Sequence, residues 1–209
     1  MGIGRREFLK AFGATIAAYA AGPLQPVVLG GECYINRSLG LAFRQPPGWN
    51  YVLLKQFPLL RNEQVLEDNE ISRMLLSGAD PYVVMDRRDP GSPGPLAASM
   101  TAYVEEFAFE PGESLSQVPT LAARALALAV REHELLEQSA VFRLSGTESI
   151  EYFARFRFET PDVSVLARHR SLVGVKGGAI FTFNFFDYPE QGIDGQADFD
   201  AIRASITYA

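Results

Sequence analysis

The sequence predicts an α+β fold in which an antiparallel β-sheet is sandwiched by helices. Three observations predict it. Four strand-like runs follow one another between Val141 and Phe186, joined by turns too short for a crossover. An alanine- and leucine-rich helical stretch precedes them, and an amphipathic stretch with acids in its first turn follows them. Strands that succeed one another across short turns pair antiparallel, and each helix needs a sheet face on which to bury its apolar stripe.

The elements can be justified in order. Leu39 to Phe43 reads as a short strand, stopped by Gln45-Pro-Pro-Gly-Trp49, which presents the only tryptophan. Tyr51 to Leu76 has no clean period and reads as irregular and partly helical. Pro81 to Met85 is a strand, and Arg87 to Pro95, with three prolines and two glycines, is a loop. Met100 to Phe109 is a strand in which Glu105-Glu106 breaks the alternation, so a bulge or twist is expected there. Leu115 to Leu136 reads as the clearest helix, ending on the polar Arg131-Glu-His-Glu134. The four runs are Val141 to Leu144, Ile150 to Phe158, Val165 to Val175 and Ile180 to Phe186, with turns at Ser145-Gly146 and Gly177-Gly178. The last helix opens at Asp194 and runs through Phe199, Ile202 and Ile206.

Composition narrows the function. The chain has 209 residues, 47% apolar and 21% charged, enough to bury a core as one domain. No apolar run reaches the ~18 residues of a spanning helix. A net charge of −6 argues against a nucleic-acid binder. One cysteine, Cys33, and two histidines, His133 and His169, exclude an intramolecular disulfide and a cysteine-based zinc site within one chain.

The N-terminus carries an address. Arg5-Arg6-Glu-Phe8-Leu9-Lys10 precedes a mildly apolar, alanine-rich stretch, and Ala18-Tyr19-Ala20 supplies the small-x-small pattern of signal cleavage. The basic run resembles a twin-arginine translocation signal, read by Arg5, Arg6, Phe8 and Leu9. The resemblance implies residues 1–20 as signal peptide, export to the periplasm or beyond, and the twin-arginine translocase as a partner during export. Residues 21–35, with Pro23, Pro26 and Gly30-Gly31, are then a linker, Cys33 a semi-ordered tail thiol, and residues 36–209 a single α+β domain.

Leu41-Ala-Phe43 followed by Pro46-Pro-Gly-Trp49, together with the closing strand, Gly-Gly, strand and helix, resembles the PsbP/Mog-like superfamily. The resemblance covers residues 36–209 by element order. It implies an antiparallel sheet between helices, an α/β/α sandwich, and a non-enzymatic accessory or binding role. The Tyr51–Asp80 segment departs from the pattern.

Catalytic chemistry has little to draw on. There is no G-x-S-x-G elbow, and Gly91-Ser-Pro-Gly94 offers prolines where a phosphate loop needs N–H donors. His133 reads as a solvated side chain at a helix end. Asp187, Glu190, Asp194, Asp198 and Asp200 crowd together, but only Asp198 and Asp200 have calcium-loop spacing, so they read as solvated and helix-start acids. The informative set is Arg155, Arg157, Arg168 and Arg170, which alternation places on one face of adjacent strands. Four like charges there call for acids such as Glu151, Glu105 or Glu106, or for an anion or acidic partner. The register of the last hairpin is expected to use a three-residue loop, setting His169 across from Asp187 and turning Phe181, Phe183 and Phe185 to the apolar side.

The expectation is a non-catalytic exported domain acting through an unidentified envelope protein, with no catalytic residue, metal or cofactor, no nucleic-acid partner, and no stable membrane span after cleavage. The alternative is a small-ligand or anion-binding periplasmic protein using the arginine face. A hydrolase built on His169 and Asp187 is the remaining reading.

Overall fold

The computed structural model describes residues 28–30, 32–52, 81–88, 96–106, 108–109 and 112–208. The signal residues Arg5, Arg6, Phe8, Leu9, Ala18 and Ala20 lie outside the described residues, as does most of the Tyr51–Leu76 segment. Twelve strands and two α-helices are described: β1 Val28–Gly30, β2 Cys33–Asn36, β3 Leu41–Arg44, β4 Asn50–Tyr51, β5 Val83–Asp86, β6 Ser99–Glu106, α1 Val118–Ala129, β7 Arg131–Gln138, β8 Phe142–Leu144, β9 Thr147–Thr160, β10 Val163–Lys176, β11 Ala179–Asp187, α2 Gln196–Ser205 and β12 Thr207–Tyr208. All described ladders are antiparallel. The larger sheet runs β4-β5-β6-β11-β10-β9-β7, with β8 also on β9; the smaller runs β1-β2-β3-β12.

The fold is therefore antiparallel and sheet-dominated, and the helices are short. One face of the large sheet carries Met100, Leu172, Phe183 and Phe185, buried with Phe43 of the small sheet and Phe199 and Ile202 of α2. On the other face, Ile150, Tyr152 and Val173 pack under Val118 and Ala122 of α1. A second sheet thus shares with α2 the covering that the expected sandwich gave to helices alone.

Several expectations are corrected. The helix expected over Leu115 to Leu136 is α1 alone. Val130 is extended, and Arg131–Gln138 is strand β7. Its residues are good helix formers, but pairing with β9 overrides that local preference. The 21–35 linker is also corrected: it holds β1 and the start of β2, and Cys33 sits half-buried on a paired strand rather than on a loose tail. No bulge interrupts β6 at Glu105-Glu106; its ladder with β11 runs in regular register to Glu106.

The hairpin register is corrected too. Gly177-Gly178 forms a two-residue turn with both φ angles positive, +60° and +79°, so Lys176 pairs with Ala179 and Arg168 with Asp187. His169 lies across from Phe186. The expectation rested on burying Phe181, Phe183 and Phe185 away from the arginines. Because the small sheet and α2 cover the arginine face, those rings are buried there, and the hydrophobic argument no longer separates the two registers.

Candidate functional site

Arg155, Arg157, Arg168 and Arg170 do share one face, with Arg168 directly opposite Arg155. Each guanidinium has a carboxylate. Arg155 meets Glu134 at 2.6 Å and Arg157 meets Glu132 at 2.7 Å, both acids coming from β7. Arg170, buried, donates to Glu151 and to Asp200 of α2, each at 2.6 Å. Arg168 forms a two-pronged bond to Asp187, from Nε at 2.8 Å and Nη2 at 2.6 Å, and Nη2 also reaches Asp194 at 2.8 Å. Those bonds raise the Arg168 guanidinium further above its ordinary value, Asp187 being the main cause. Of the expected acids, Glu151 takes part; β7, the end of β11 and the α2 region supply the others. The misread helix hid Glu132 and Glu134.

The acidic stretch is the other half of this network. Asp187 is fully buried and also accepts the Gly195 backbone N–H at 2.8 Å, which fixes the turn into α2. Asp194 caps that turn by accepting the Gln196 N–H at 3.1 Å, and this bond, seconded by Arg168, holds its carboxyl below the usual range. Asp198 accepts from Trp49 Nε1 at 3.0 Å and Arg87 Nη1 at 2.8 Å. Trp49 is 2% exposed, as its turn predicts, with its ring edge-on to Phe199. These acids hold arginines, and arginines and acids together lock α2 onto the sheet.

The opposite face is different. His169, 3% exposed, stacks on Phe186 with centroids 4.8 Å apart and meets Tyr152 and Phe156 edge-on. Its Nε2 lies 3.0 Å from the Asn184 carbonyl oxygen. Burial pushes its ring down to about 4, with His133 adding to the shift, so the imidazole is neutral at pH 7. His133 is on β7, not at a helix end, and burial lowers it as well. His169 and Asp187 occupy opposite faces, so the geometry forms no histidine–carboxylate dyad. Sequence reading missed the half-buried position of His133 because it was placed on the wrong element.

Glu105 shares this second face and is buried, which alone pushes its carboxyl up to about 7. A carboxyl raised by folding contributes stability that is present at low pH and lost as pH rises from about 4.5 through 7. Glu105→Gln is therefore expected to raise stability at pH 8 by up to about 3 kcal/mol, with little change near pH 4. Thermal melts at the two pH values check this. An equal gain at both would show that ionisation is not the cause.

No family model matches the chain, and no curated protein sequence matches it. Solved structures do. A cyanobacterial PsbP (CyanoP) from Synechocystis aligns with a TM-score of 0.51 and 16% identity, covering 90% of this chain and 100% of that one. LpqN, a protein involved in cell envelope biogenesis of Mycobacterium tuberculosis, aligns with a TM-score of 0.48 and 13% identity over 93% of this chain and 97% of that one. Identity this low speaks for fold and not for activity. The long antiparallel sheet and the closing helix give the chain a PsbP-like fold.

Proposed function

We propose that this chain is a non-catalytic exported domain that binds a protein partner in the cell envelope. One observation carries the reading. Among the described residues, four large apolar side chains stand exposed, and three of them fall on the α1–β7–β8 stretch: Leu128 at 46%, Leu136 at 50% and Val141 at 43%. Exposed apolar side chains along an edge strand and the segments flanking it, beside charged groups, suit a protein contact. β7 has two register shifts along β9, and its flanking acids are tied to arginines. Such an edge resists strand addition, so the partner would engage side chains rather than the backbone ladder.

The separation of His169 from Asp187 supports the non-catalytic part. The N-terminal Arg5-Arg6 pattern supports export, with residues 1–20 as a cleaved signal, and with it a periplasmic or secreted location. Arg5→Lys with Arg6→Lys is expected to leave precursor in the cytoplasm on fractionation, since lysine keeps charge but not guanidinium geometry. The binding test is affinity capture from a periplasmic fraction with the tagged chain and with a Leu136→Asp, Val141→Asp variant that melts normally. A stoichiometric protein held by the first and lost by the second is the expected result. Equal capture by both would overturn the assignment of this edge. A phosphate-induced rise in melting temperature with no captured protein would favour anion binding at Arg155, Arg157, Arg168 and Arg170 instead, at the expense of their present carboxylate partners.

A further inference from the structure

Gly174 lies inside β10, across from Ser149 of β9 and Phe181 of β11. A glycine within a strand often marks a place where another group comes close to the backbone. Here that group is Tyr208 of β12, which belongs to the small sheet. Its ring stands edge-on to Phe181, with centroids 5.0 Å apart. The position a Cβ would take at Gly174 is 3.0 Å from the Tyr208 hydroxyl, 3.2 Å from Ser149 Oγ and 3.4 Å from the Thr147 methyl carbon. Thr147 and Ser149 are alternate residues of β9, so their side chains share this face. Three hydroxyl-bearing side chains from two sheets therefore converge over one glycine.

All three are buried: Ser149 has no exposed surface, Thr147 is 2% exposed and Tyr208 7%. Of these hydroxyls, Ser149 Oγ donates to the Thr147 carbonyl at 3.2 Å, and its lone pairs stay available to accept. Thr147 Oγ1 and the Tyr208 hydroxyl make no hydrogen bond. A hydroxyl buried without a partner costs stability, and here two such groups meet at one spot. One small molecule that both donates and accepts would satisfy them together.

We infer that Thr147 Oγ1, Ser149 Oγ and the Tyr208 hydroxyl bind one ordered water molecule, which joins the small sheet to the large one. Charge selects the ligand. Burial alone shifts the Tyr208 phenol upward, with no charged neighbour contributing, so nothing at this spot offsets the charge of an ion. Number selects it too. A buried water makes about three hydrogen bonds to groups that otherwise lack partners, and the site offers three hydroxyls. The water has structural weight because β12 is only two residues long, Thr207–Tyr208, and pairs with β3. A bridge from Tyr208 to Thr147 and Ser149 adds a tie between that short strand and β9.

Oxygen-17 relaxation dispersion of water counts the long-lived molecules that a folded chain holds. The full chain should lose one when Thr147→Val removes a hydroxyl at nearly constant shape. Tyr208→Phe gives a second readout, in which the sign decides. An unmet buried hydroxyl is a cost, so deleting it would raise the melting temperature. A hydroxyl bonded to water contributes stability, and its loss should lower the melting temperature by about 2–4 °C. The double variant Thr147→Val, Tyr208→Phe should fall by less than the two single losses added together, because both hydroxyls bond the same molecule. A cooperative melt shows that each variant folds. A water count unchanged by Thr147→Val, a melting temperature that rises or stays level on Tyr208→Phe, or strictly additive losses would each overturn the site.

Discussion

Asp187→Ala is expected to lower the stability of the domain by about 3–5 kcal/mol, and a urea titration at neutral pH would show it as an earlier midpoint with an unchanged slope. The carboxylate has no exposed surface and accepts three N–H groups, two from Arg168 and one from Gly195. Removing it leaves the Gly195 N–H buried without an acceptor and Arg168 with Asp194 alone. Arg168 is itself about a third exposed, so water recovers part of the loss and the lower end of the range is the better expectation. Asp187→Asn keeps the volume and one carbonyl acceptor and should cost less, about 1–3 kcal/mol. If Asp187→Ala cost under about 1 kcal/mol, the clamp between the sheet and the turn into α2 would have no energetic weight.

Trp49→Ala is the second large effect, again about 3–5 kcal/mol, seen as a drop of roughly 10 °C in melting temperature. The indole fills the space between the Pro-Pro-Gly turn and Phe199, and its N–H is one of two donors on Asp198. Trp49→Phe separates the two contributions. It keeps most of the apolar burial and forfeits the hydrogen bond, for about 1 kcal/mol plus the smaller ring's cavity. A Trp49→Ala protein that melts within two or three degrees of wild type, roughly 1 kcal/mol, would mean the ring is replaceable by water or by a neighbour.

Much of the fold was legible in the chain because period-two alternation is strong in Ile150 to Phe186 and the turn residues Ser145-Gly146 and Gly177-Gly178 punctuate it. The shared arginine face followed from the same alternation. What was not legible depends on tertiary pairing. Arg131–Gln138 has a helix-forming composition and becomes a strand only because β9 offers an edge and its arginines meet Glu132 and Glu134. That single reassignment moved His133 from a solvated helix end to a half-buried position on β7. The register of β10 on β11 failed for a related reason: a hydrophobic pattern fixes register only when one face is wet, and both faces of this hairpin are covered.

The two-residue turns have a kinetic consequence. β8, β9, β10 and β11 follow one another through Ser145-Gly146, Pro161-Asp162 and Gly177-Gly178, so their ladders close short loops and form at small entropic cost. The small sheet is the opposite case, because Thr207 of β12 meets Ala42 of β3 from 165 positions away. Contacts of such different separation do not form together. The hairpins at 142–187 are expected to be in place at the folding barrier, and the β3–β12 closure to follow it. Substituting Gly177 or Gly178, whose φ angles suit glycine, should then slow refolding. A change of equal cost at Tyr208 should leave refolding alone and hasten unfolding. The domain's lifetime would then rest on its last-formed seam, however well its hairpins are built.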